Sequence, residues 1–283
     1  MATDVPVALL GYGTVGAAVD RLLVENGDDI ERATGHRLRV VRALVRDPAR
    51  ERPSPTEPGL LTADFAGIRD DPTIALVGEV MGGLEPTGGY VLELLRAGKP
   101  VVSANKQLVA RRSAELFSAA AEAGVQLRFE ASVCAAIPVI KVLREALVVT
   151  NVHRVLGIVN GTTNFILTRM GAGGSYADAL AEAQRLGYAE ADPREDVSGA
   201  DAAAKMAILA TVAFGARVTP TRSRYGGSSE FARRTCAPRM SLRWSCGSSE
   251  SPRSPTVPST CGYSPPLSTA TTRSRRSRGR STL

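Results

Sequence analysis

The sequence predicts an α/β protein built around a doubly wound parallel sheet, and three observations support that fold class. Apolar runs of strand length alternate with helical patterns from residue 5 to about residue 133 of the 283-residue chain. The first apolar run ends in a glycine-rich turn that leads into a helix. Polar residues stand at the ends of later runs, where a sheet of this kind binds its ligands.

The first glycine-rich turn has the context of a nucleotide site. Residues 5–10 form an apolar run that suits a buried strand, and Gly11, Gly13 and Gly16 then form G-x-G-x-x-G ahead of a helical pattern that stops at Gly27. The first two glycines allow a tight turn and close approach to a pyrophosphate, while the third lets the helix pack against the strand. This context favours a Rossmann-type nucleotide site over a plain glycine turn.

The end of the second strand bears on the choice between NAD and NADP. The apolar run LRVVRALVRD, residues 38–47, ends where NAD-preferring folds usually place an acidic residue for the ribose 2′-hydroxyl. Here Arg46 comes first and Asp47 next. Arg46 could pair with a 2′-phosphate, which favours NADP over NAD, and the alternative is an exposed arginine in a turn before Pro48.

The strand–helix alternation then continues through the first half of the chain. Strands are predicted in TIALVGEVMGG (73–83), KPVVSANK (99–106) and VQLRFEASV (125–133), and helices in EPTGGYVLELLRAG (85–98) and QLVARRSAELFSAAAEAG (107–124). Four polar residues fall at strand ends and are candidates for function: Glu79, Asn105, Lys106 and Glu130.

Two motifs stand in the region that follows. A strand in HRVLGIV, residues 153–159, precedes NGTTNFIL, which predicts a helix capped by Thr162 or Thr163. Further on, Asp201 and Lys205 are one helical turn apart in an apolar helix that ends near residue 214. Spacing alone leaves this pair open between a surface salt bridge and a proton-transfer site.

Charge is distributed unevenly along the chain. Residues 1–220 carry 23 Lys and Arg against 26 Asp and Glu, whereas residues 221–283 carry 12 Arg, no Lys and 2 Glu. The formal net charge of +7 therefore comes from the last part of the chain, and it does not make the main body a nucleic-acid-binding protein. Since no apolar run is long enough for a transmembrane helix and no signal peptide is evident, we expect a cytoplasmic enzyme without a membrane partner.

The composition changes abruptly near residue 219. Residues 221–283 contain 15 Ser, 12 Arg and 6 Pro with little apolar periodicity, so this basic tail is expected to be disordered. A nucleic-acid-binding arm is the less favoured interpretation, because no aromatic residues alternate with the arginines. Arg, Ser, Pro and Cys in this proportion are also typical of a GC-rich gene read in a wrong frame, which resequencing around codons 216–222 would test.

Six stretches occur in a specific order: GYGTVG (11–16), EVMGG (79–83), SANK (103–106), FEASVCAAIP (129–138), GIVNGTTNFIL (157–167) and GYAEADPREDVSGADAAAK (187–205). From residue 5 to about residue 218 these motifs resemble one family, homoserine dehydrogenase. The resemblance implies NAD(P)-dependent interconversion of L-homoserine and L-aspartate 4-semialdehyde, in the biosynthesis of threonine, methionine and isoleucine. Family members are also typically homo-oligomers.

The resemblance implies a role for individual residues. Lys205 and Lys106 are the expected proton-handling residues, with Asp201 beside them. The expected cofactor-binding residues are Gly11, Gly13, Thr14, Val15, Gly16, Arg46, Ser103 and Lys106. The expected substrate-binding residues are Glu190, Asp201, Asn160, Gly161 and Thr162. A sodium ion is expected on Glu130 and on the backbone carbonyls of Val133, Ala135 and Ile137.

The implied domain organisation has three parts. Residues 1–138 form an NAD(P)-binding domain, residues 139–218 form part of an α+β substrate and dimerisation domain that we expect to be truncated, and residues 219–283 form the basic tail. Two other functions remain open from the residues. One is a non-catalytic nucleotide-binding fragment, and the other is a different Rossmann oxidoreductase that acts on a small amino or hydroxy acid.

Overall fold

The computed structural model describes residues 3–52 and 57–220, together with two short strands at 244–246 and 261–263. Within these residues the main sheet has six parallel strands in the order β3-β2-β1-β4-β5-β6. Their bounds are β1 Thr3–Leu10, β2 His36–Leu44, β3 Leu61–Thr62, β4 Leu76–Glu79, β5 Val101–Ser103 and β6 Leu127–Arg128. The predicted α/β class with a doubly wound parallel sheet is confirmed.

Helices cover both faces of this sheet and then make up the second part of the chain. Those of the first part are α1 Thr14–Glu25, α2 Gly27–Thr34, α3 Phe65–Arg69, α4 Thr87–Arg96 and α5 Lys106–Glu122. Those of the second part are α6 Val139–Lys141, α7 Gly161–Gly171, α8 Tyr176–Arg185, α9 Arg194–Val197 and α10 Ala200–Phe214. A short 3-10 turn occupies Glu130–Ser132, and a π-helical turn, Val142–Ala146, extends α6.

Strand β1 is buried on both faces, as a central parallel strand must be. Val7 and Leu9 pack on one face with Ala43 and Leu60, whereas Ala8 and Leu10 on the other face join the larger core. Since β1 has β2 on one side and β4 on the other, the direction in which successive strands are added to the sheet reverses between β1 and β4. A crevice for ligands opens at such a position beyond the carboxyl ends of the strands.

Two predicted strands differ from the structure. The segment 153–159 is not a strand, because it forms no ladder with another described segment, and Ile158 within it is 70% exposed. The strand predicted over 125–133 is reduced to β6, because the chain turns into the 3-10 turn directly afterwards. In both segments apolar content alone suggested a strand, but a strand also needs a hydrogen-bonding neighbour.

The two parts of the chain are joined through helices. Helix α10 packs against α5, and it buries a run of small side chains that includes Ala203 and Ala207. None of the helices in the described part of the chain is both long and apolar enough to cross a bilayer. In the tail the structure describes strands β7 Trp244–Cys246 and β8 Cys261–Tyr263, which pair antiparallel. The disorder and the altered reading frame predicted for the tail otherwise lie outside the described residues.

Candidate active site

The glycine loop between β1 and α1 is shaped for close contact with an anion. Gly11 has φ +102°, a value that side chains disfavour, and a Cβ on Gly16 would lie 2.4 Å from the carbonyl oxygen of Gly11. Gly13 caps α1 without any side-chain hydrogen bond, and the first turn of α1 contains no acidic residue. The backbone N–H groups of Thr14 and Val15 lie in the first turn of α1, where no carbonyl within the helix accepts from them, as a phosphate site requires.

Arg46 lies two residues beyond the end of β2, next to the strand that carries the glycine loop. Its side chain is exposed and has no hydrogen bond or ion pair within the described ranges 3–52 and 57–220. The Asp47 carboxylate accepts a hydrogen bond from the backbone N–H of Ala49, so it holds the turn that follows. Arg46 is thus the charged side chain of this pair that is available to a ligand.

A buried polar group lies at the carboxyl ends of β4 and β5. Glu79, at the end of β4, is fully buried and accepts a 2.5 Å hydrogen bond from the Ser103 hydroxyl at the end of β5. Asn105 caps α5 by accepting from the backbone N–H of Leu108. Lys106 is the first residue of α5, so the cap fixes the position from which its side chain leaves the helix.

The lysine and aspartate candidates of the two parts meet in one charge cluster. The Asp201 carboxylate lies 2.5 Å from Nζ of Lys106 and 2.9 Å from Nζ of Lys205. It also accepts a 2.8 Å hydrogen bond from the Asn160 side chain, and Lys205 donates to the carbonyl oxygen of Val159. Asp201 is only 3% exposed, so the Asp201–Lys205 pair is buried, in contrast to a surface salt bridge at the same spacing.

The opposite charges of this cluster stabilise the ionised forms of Asp201 and Lys106. Burial alone would raise the pKa of Asp201, but hydrogen bonds from Lys106, Asn160 and Lys205 outweigh it and hold that pKa below its ordinary value. Burial also lowers the pKa of Lys106, but its hydrogen bond to Asp201 and the nearby charges of Glu195 and Asp196 raise it overall. Asp201 is therefore held ionised and Lys106 protonated.

Asn160 connects the cluster to the start of α7. Its side-chain oxygen accepts from the backbone N–H of Thr163, so Asn160 caps the helix, and the prediction that Thr162 or Thr163 would do so was wrong. An asparagine carbonyl reaches the N3 amide as well as a hydroxyl does, and Asn160 stands two positions before Thr162. Thr162 instead donates to the carbonyl oxygen of Tyr188, which fixes the loop before α9.

The site also contains a residue that the sequence analysis missed. The Asp196 carboxylate accepts from Asn160 at 2.7 Å, and its backbone oxygen accepts from the Thr163 hydroxyl. Asp196 stands in a stretch rich in carboxylates, so nothing in the sequence singled it out. Its position five residues before Asp201 is the signal that could have indicated a shared site.

Two family models match the chain in succession. Residues 11–130 match a model described as the NAD-binding domain of homoserine dehydrogenase, and residues 138–239 match a model described as homoserine dehydrogenase. The chain belongs to the homoserine dehydrogenase family. The second match extends past residue 218, where the sequence analysis ended the resemblance.

Relatives and solved structures agree with this assignment. Homoserine dehydrogenase of Corynebacterium glutamicum is 52% identical over 216 residues, which are 76% of this chain and 48% of that protein. The Bacillus subtilis enzyme is 44% identical over 213 residues, 75% of this chain and 49% of that protein. The chain thus spans about half the length of the curated relatives it matches.

Among solved structures, a homoserine dehydrogenase from Thiobacillus denitrificans superimposes with a TM-score of 0.77 at 41% identity, covering 88% of this chain and 59% of that one. A hyperthermophilic archaeal homoserine dehydrogenase in complex with NADPH gives a TM-score of 0.72 at 26% identity, covering 95% of this chain and 83% of that one. The NAD(P)-binding domain and the catalytic domain of the homoserine dehydrogenase family follow one another in this chain.

Within this homoserine dehydrogenase fold, two of the residues expected at the substrate lie apart from the charge cluster. Glu190 is exposed, and its carboxylate has no hydrogen bond or ion pair with any described residue. Its backbone oxygen accepts from the side chain of Gln184, which holds the loop that carries it. Gly161 is exposed at the first position of α7, next to the buried Asn160. The structure therefore brings Asp201, Lys205, Lys106 and Asn160 together and leaves Glu190 outside that group.

The segment expected to bind sodium in this homoserine dehydrogenase fold has two unusual features. Oε2 of Glu130 is buried and has no hydrogen-bond partner among the described residues. Cys134 and Ala135 have φ values of 57° and 47°, so they adopt the left-handed conformation that glycine favours. Cys134 also lies near enough to Lys205 and Asp201 for both charges to act on its thiol, whose pKa is raised chiefly by burial.

Proposed function

We propose that this polypeptide itself catalyses the NAD(P)-dependent interconversion of L-homoserine and L-aspartate 4-semialdehyde. The observation that carries the proposal is the buried cluster in which Asp201 holds Lys106 from the nucleotide-binding part and Lys205 from the second part. Two cations fixed around one carboxylate, next to a glycine loop for a dinucleotide, suit an alcohol dehydrogenation that separates a hydride from a proton.

The residues of the cluster have different roles in such a reaction. When bound, a nicotinamide cofactor takes up the hydride that leaves C4 of homoserine, or returns it to the aldehyde. In the reducing direction, a protonated Lys106 donates a hydrogen bond to the aldehyde oxygen and stabilises the negative charge that forms there. Lys205 then supplies or accepts the hydroxyl proton, since Asp201 and the Val159 carbonyl orient its ammonium group.

Substrate binding is proposed to involve the polar groups around this cluster. Asp201, with the start of α7 at Asn160, Gly161 and Thr162, lies where the amino acid would be held. Glu190 is proposed to join them when substrate binds, because its exposed carboxylate can pair with a substrate ammonium. Replacing Glu190 with Gln is expected to raise the KM for homoserine with a smaller effect on kcat, and an unchanged KM would contradict its role.

The cofactor is proposed to be NADP in preference to NAD. Gly11, Gly13, Thr14, Val15 and Gly16 would hold the pyrophosphate, with Ser103 and Lys106 at the nicotinamide side of the crevice. Arg46, exposed and unpaired within the described residues, would pair with the 2′-phosphate. Titration of the protein with NADP and with NAD would test this proposal. If the affinity for NADP is the same in the wild type and in Arg46→Ala, the proposal is wrong.

A sodium ion is proposed at Glu130, with the carbonyls of Val133, Ala135 and Ile137 as further ligands. The buried Oε2 atom without a hydrogen-bond partner within the described residues and the left-handed turn at Cys134 and Ala135 support this. In the described part of the chain there is no cluster of three or more metal-binding side chains, so the ligands would be mainly main-chain oxygens. If turnover is the same in sodium and in tetramethylammonium buffers, the proposal is wrong.

The function is tested by homoserine-dependent reduction of NADP+, followed by NADPH absorbance. Lys205→Ala is expected to reduce kcat by about 10²- to 10⁴-fold, the usual range for loss of a positioned proton-transfer group. Lys141→Ala is the matched control, because Lys141 is an exposed lysine outside the cluster, and this variant should keep wild-type kcat. Turnover of another alcohol in place of homoserine would favour a different Rossmann oxidoreductase.

A chain that binds NADPH without turnover would favour the second candidate function, a non-catalytic nucleotide-binding fragment. The observation behind this candidate is that the chain spans about half the length of its curated relatives. We further propose that the protein acts in the cytoplasm and self-associates, as the family resemblance implies. Sedimentation at micromolar concentration tests the second statement, and a monomer there would contradict it.

A further inference from the structure

Glu79 is a fully buried carboxylate that the proposed reaction does not use. It lies at the end of β4, at the point where the order of strands reverses, and its exposure is 0%. A buried carboxylate is costly unless donors surround it. Burial raises the pKa of Glu79, and the hydrogen bonds that it accepts offset only part of that rise.

Three donors point at the two oxygens of Glu79. The backbone N–H groups of Met81 and Gly82 lie 3.0 and 3.2 Å from Oε1, and the Ser103 hydroxyl lies 2.5 Å from Oε2. Ser103 Oγ in turn accepts from the backbone N–H of Asn105, so its own proton is directed to Glu79. The arrangement is complementary to the ionised carboxylate, which accepts hydrogen bonds only.

On one side, this network reaches the glycine loop. A Cβ placed on Gly11 would lie 3.1 to 3.2 Å from the backbone N and Cα of Met81, so these two segments are in direct van der Waals contact. Glu79 fixes the Met81 backbone by accepting a hydrogen bond from its amide N–H. Met81 therefore limits how far the glycine loop can move on this side.

On the other side, the network reaches the lysine of the charge cluster. Asn105 donates to the carbonyl oxygen of Gly83 at 2.6 Å and caps α5, while its backbone N–H is held by Ser103. Lys106 follows directly and extends to Asp201. Glu79 and Lys106 are thus connected through two hydrogen bonds and one peptide unit.

We infer that Glu79 is a positioning residue. It fixes the start of α5 so that Lys106 contacts Asp201 and the glycine loop is held in place. This inference rests on the proposed function for its catalytic consequence, but the placement of Lys106 can be measured without turnover. Glu79 itself contacts neither Lys106 nor Asp201 through any hydrogen bond or ion pair in the described residues, so it acts through Ser103 and Asn105.

Glu79→Gln is the informative variant, because it keeps the shape of the side chain and changes one acceptor to a donor. If the amide oxygen stays with the Met81 and Gly82 N–H groups, the amide nitrogen faces Ser103, whose hydroxyl proton loses its partner. If the amide turns over, its N–H₂ faces two backbone N–H groups. The first orientation weakens the link through Ser103, and the second releases the segment Met81–Gly83, whose Gly83 carbonyl accepts from Asn105, while the buried volume is kept in both.

Lysine NMR gives a direct readout of the placement of Lys106. The whole sequence contains four lysines, Lys99, Lys106, Lys141 and Lys205, so a protein labelled with ¹³C at lysine Cε gives four signals. Titration of these signals reports the pKa of each ammonium group, and single Lys→Arg variants assign them. Loss of the close contact with Asp201 is expected to lower the pKa of Lys106, because a nearby opposite charge that favours the ammonium form is removed.

In Glu79→Gln we expect the titration of Lys106 to shift to lower pH. The variant should also lower kcat for homoserine about tenfold or more, with a smaller change in KM. Glu115→Gln is the matched control, since Glu115 lies exposed on the same helix α5 and pairs with Arg112. This control should leave the Lys106 titration unchanged.

A folded Glu79→Gln protein with a wild-type Lys106 titration would overturn the inference. If Glu79→Gln does not fold, Ser103→Ala serves as the second variant, because it removes the hydroxyl that links Glu79 to Asn105 and should shift Lys106 in the same direction. An unshifted Lys106 in folded Ser103→Ala would overturn the inference as well. If the wild type lacks turnover, the proposed function fails, whereas the lysine titration still decides this inference.

Discussion

Replacing Asp201 with Asn tests whether the charge cluster stabilises the fold as a buried unit. The carboxylate is 3% exposed and lies 2.5 and 2.9 Å from the ammonium groups of Lys106 and Lys205. Removing one partner of a buried ion pair costs about 3–5 kcal/mol when the remaining charge is shut off from water. The lysine side chains are 30% and 20% exposed, so water offsets part of this cost. We expect the free energy of unfolding to fall by about 2–3 kcal/mol.

The pH dependence of this effect follows from the direction of the pKa shift. Because the pKa of Asp201 is lowered in the folded state, its carboxylate form stabilises the fold. That contribution is complete above the ordinary aspartate pKa of about 4 and is lost as the pH falls through the lower pKa of the folded protein. The difference between wild type and Asp201→Asn should therefore shrink as the pH falls below about 4.

Urea unfolding, followed by circular dichroism near neutral pH and again in acid, measures both effects. Asp29→Asn is the matched control, because Asp29 pairs with Arg32 on the surface of α2 and its side chain is 72% exposed. This control should cost about 0.5 kcal/mol or less, as exposed pairs do. If Asp201→Asn costs no more than Asp29→Asn, or if its cost is the same at every pH, the cluster does not stabilise the fold in the way argued above.

Two further substitutions test the backbone of the site. Gly16→Ala places a Cβ 2.4 Å from the Gly11 carbonyl, so NADPH affinity in a fluorescence titration should fall about tenfold or more, whereas Gly171→Ala, with open space around it, should bind normally. Ala135→Gly relieves a residue at φ 47° and should raise the free energy of unfolding by about 0.5–1 kcal/mol in urea, whereas Ala131→Gly should lower it. Unchanged affinity in the first case, or a loss of stability in Ala135→Gly, would contradict the respective argument.

The nucleotide-binding part could be predicted from the sequence because its signals are local. Gly11 and Gly16 each meet a steric requirement of one turn, and the flanking apolar runs have the length of buried strands. The interpretation of residues 5–133 as a doubly wound sheet therefore needed no information from distant parts of the chain.

The second part was predicted less well because its structure depends on distant contacts. Residues 153–159 have the apolar content of a strand, but whether they form one depends on a neighbouring strand that a local pattern does not specify. The contact of Lys106 with Asp201 joins positions far apart in sequence, and no spacing rule reveals it. The helix cap at Asn160 was missed because Asn160, Thr162 and Thr163 all have side chains able to cap.

Helix α10 carries both Asp201 and Lys205 and buries mostly alanine against its surroundings. Because packed interiors have almost no free volume, a larger side chain at Ala203 or Ala207 would have to be accommodated by moving the helix as a rigid rod. Such a movement would change the separation between the ammonium group on α5 and the carboxylate on α10. The alanine face of α10 is therefore a spacer, and side-chain volume there offers a means of adjusting the site without altering any of its charges.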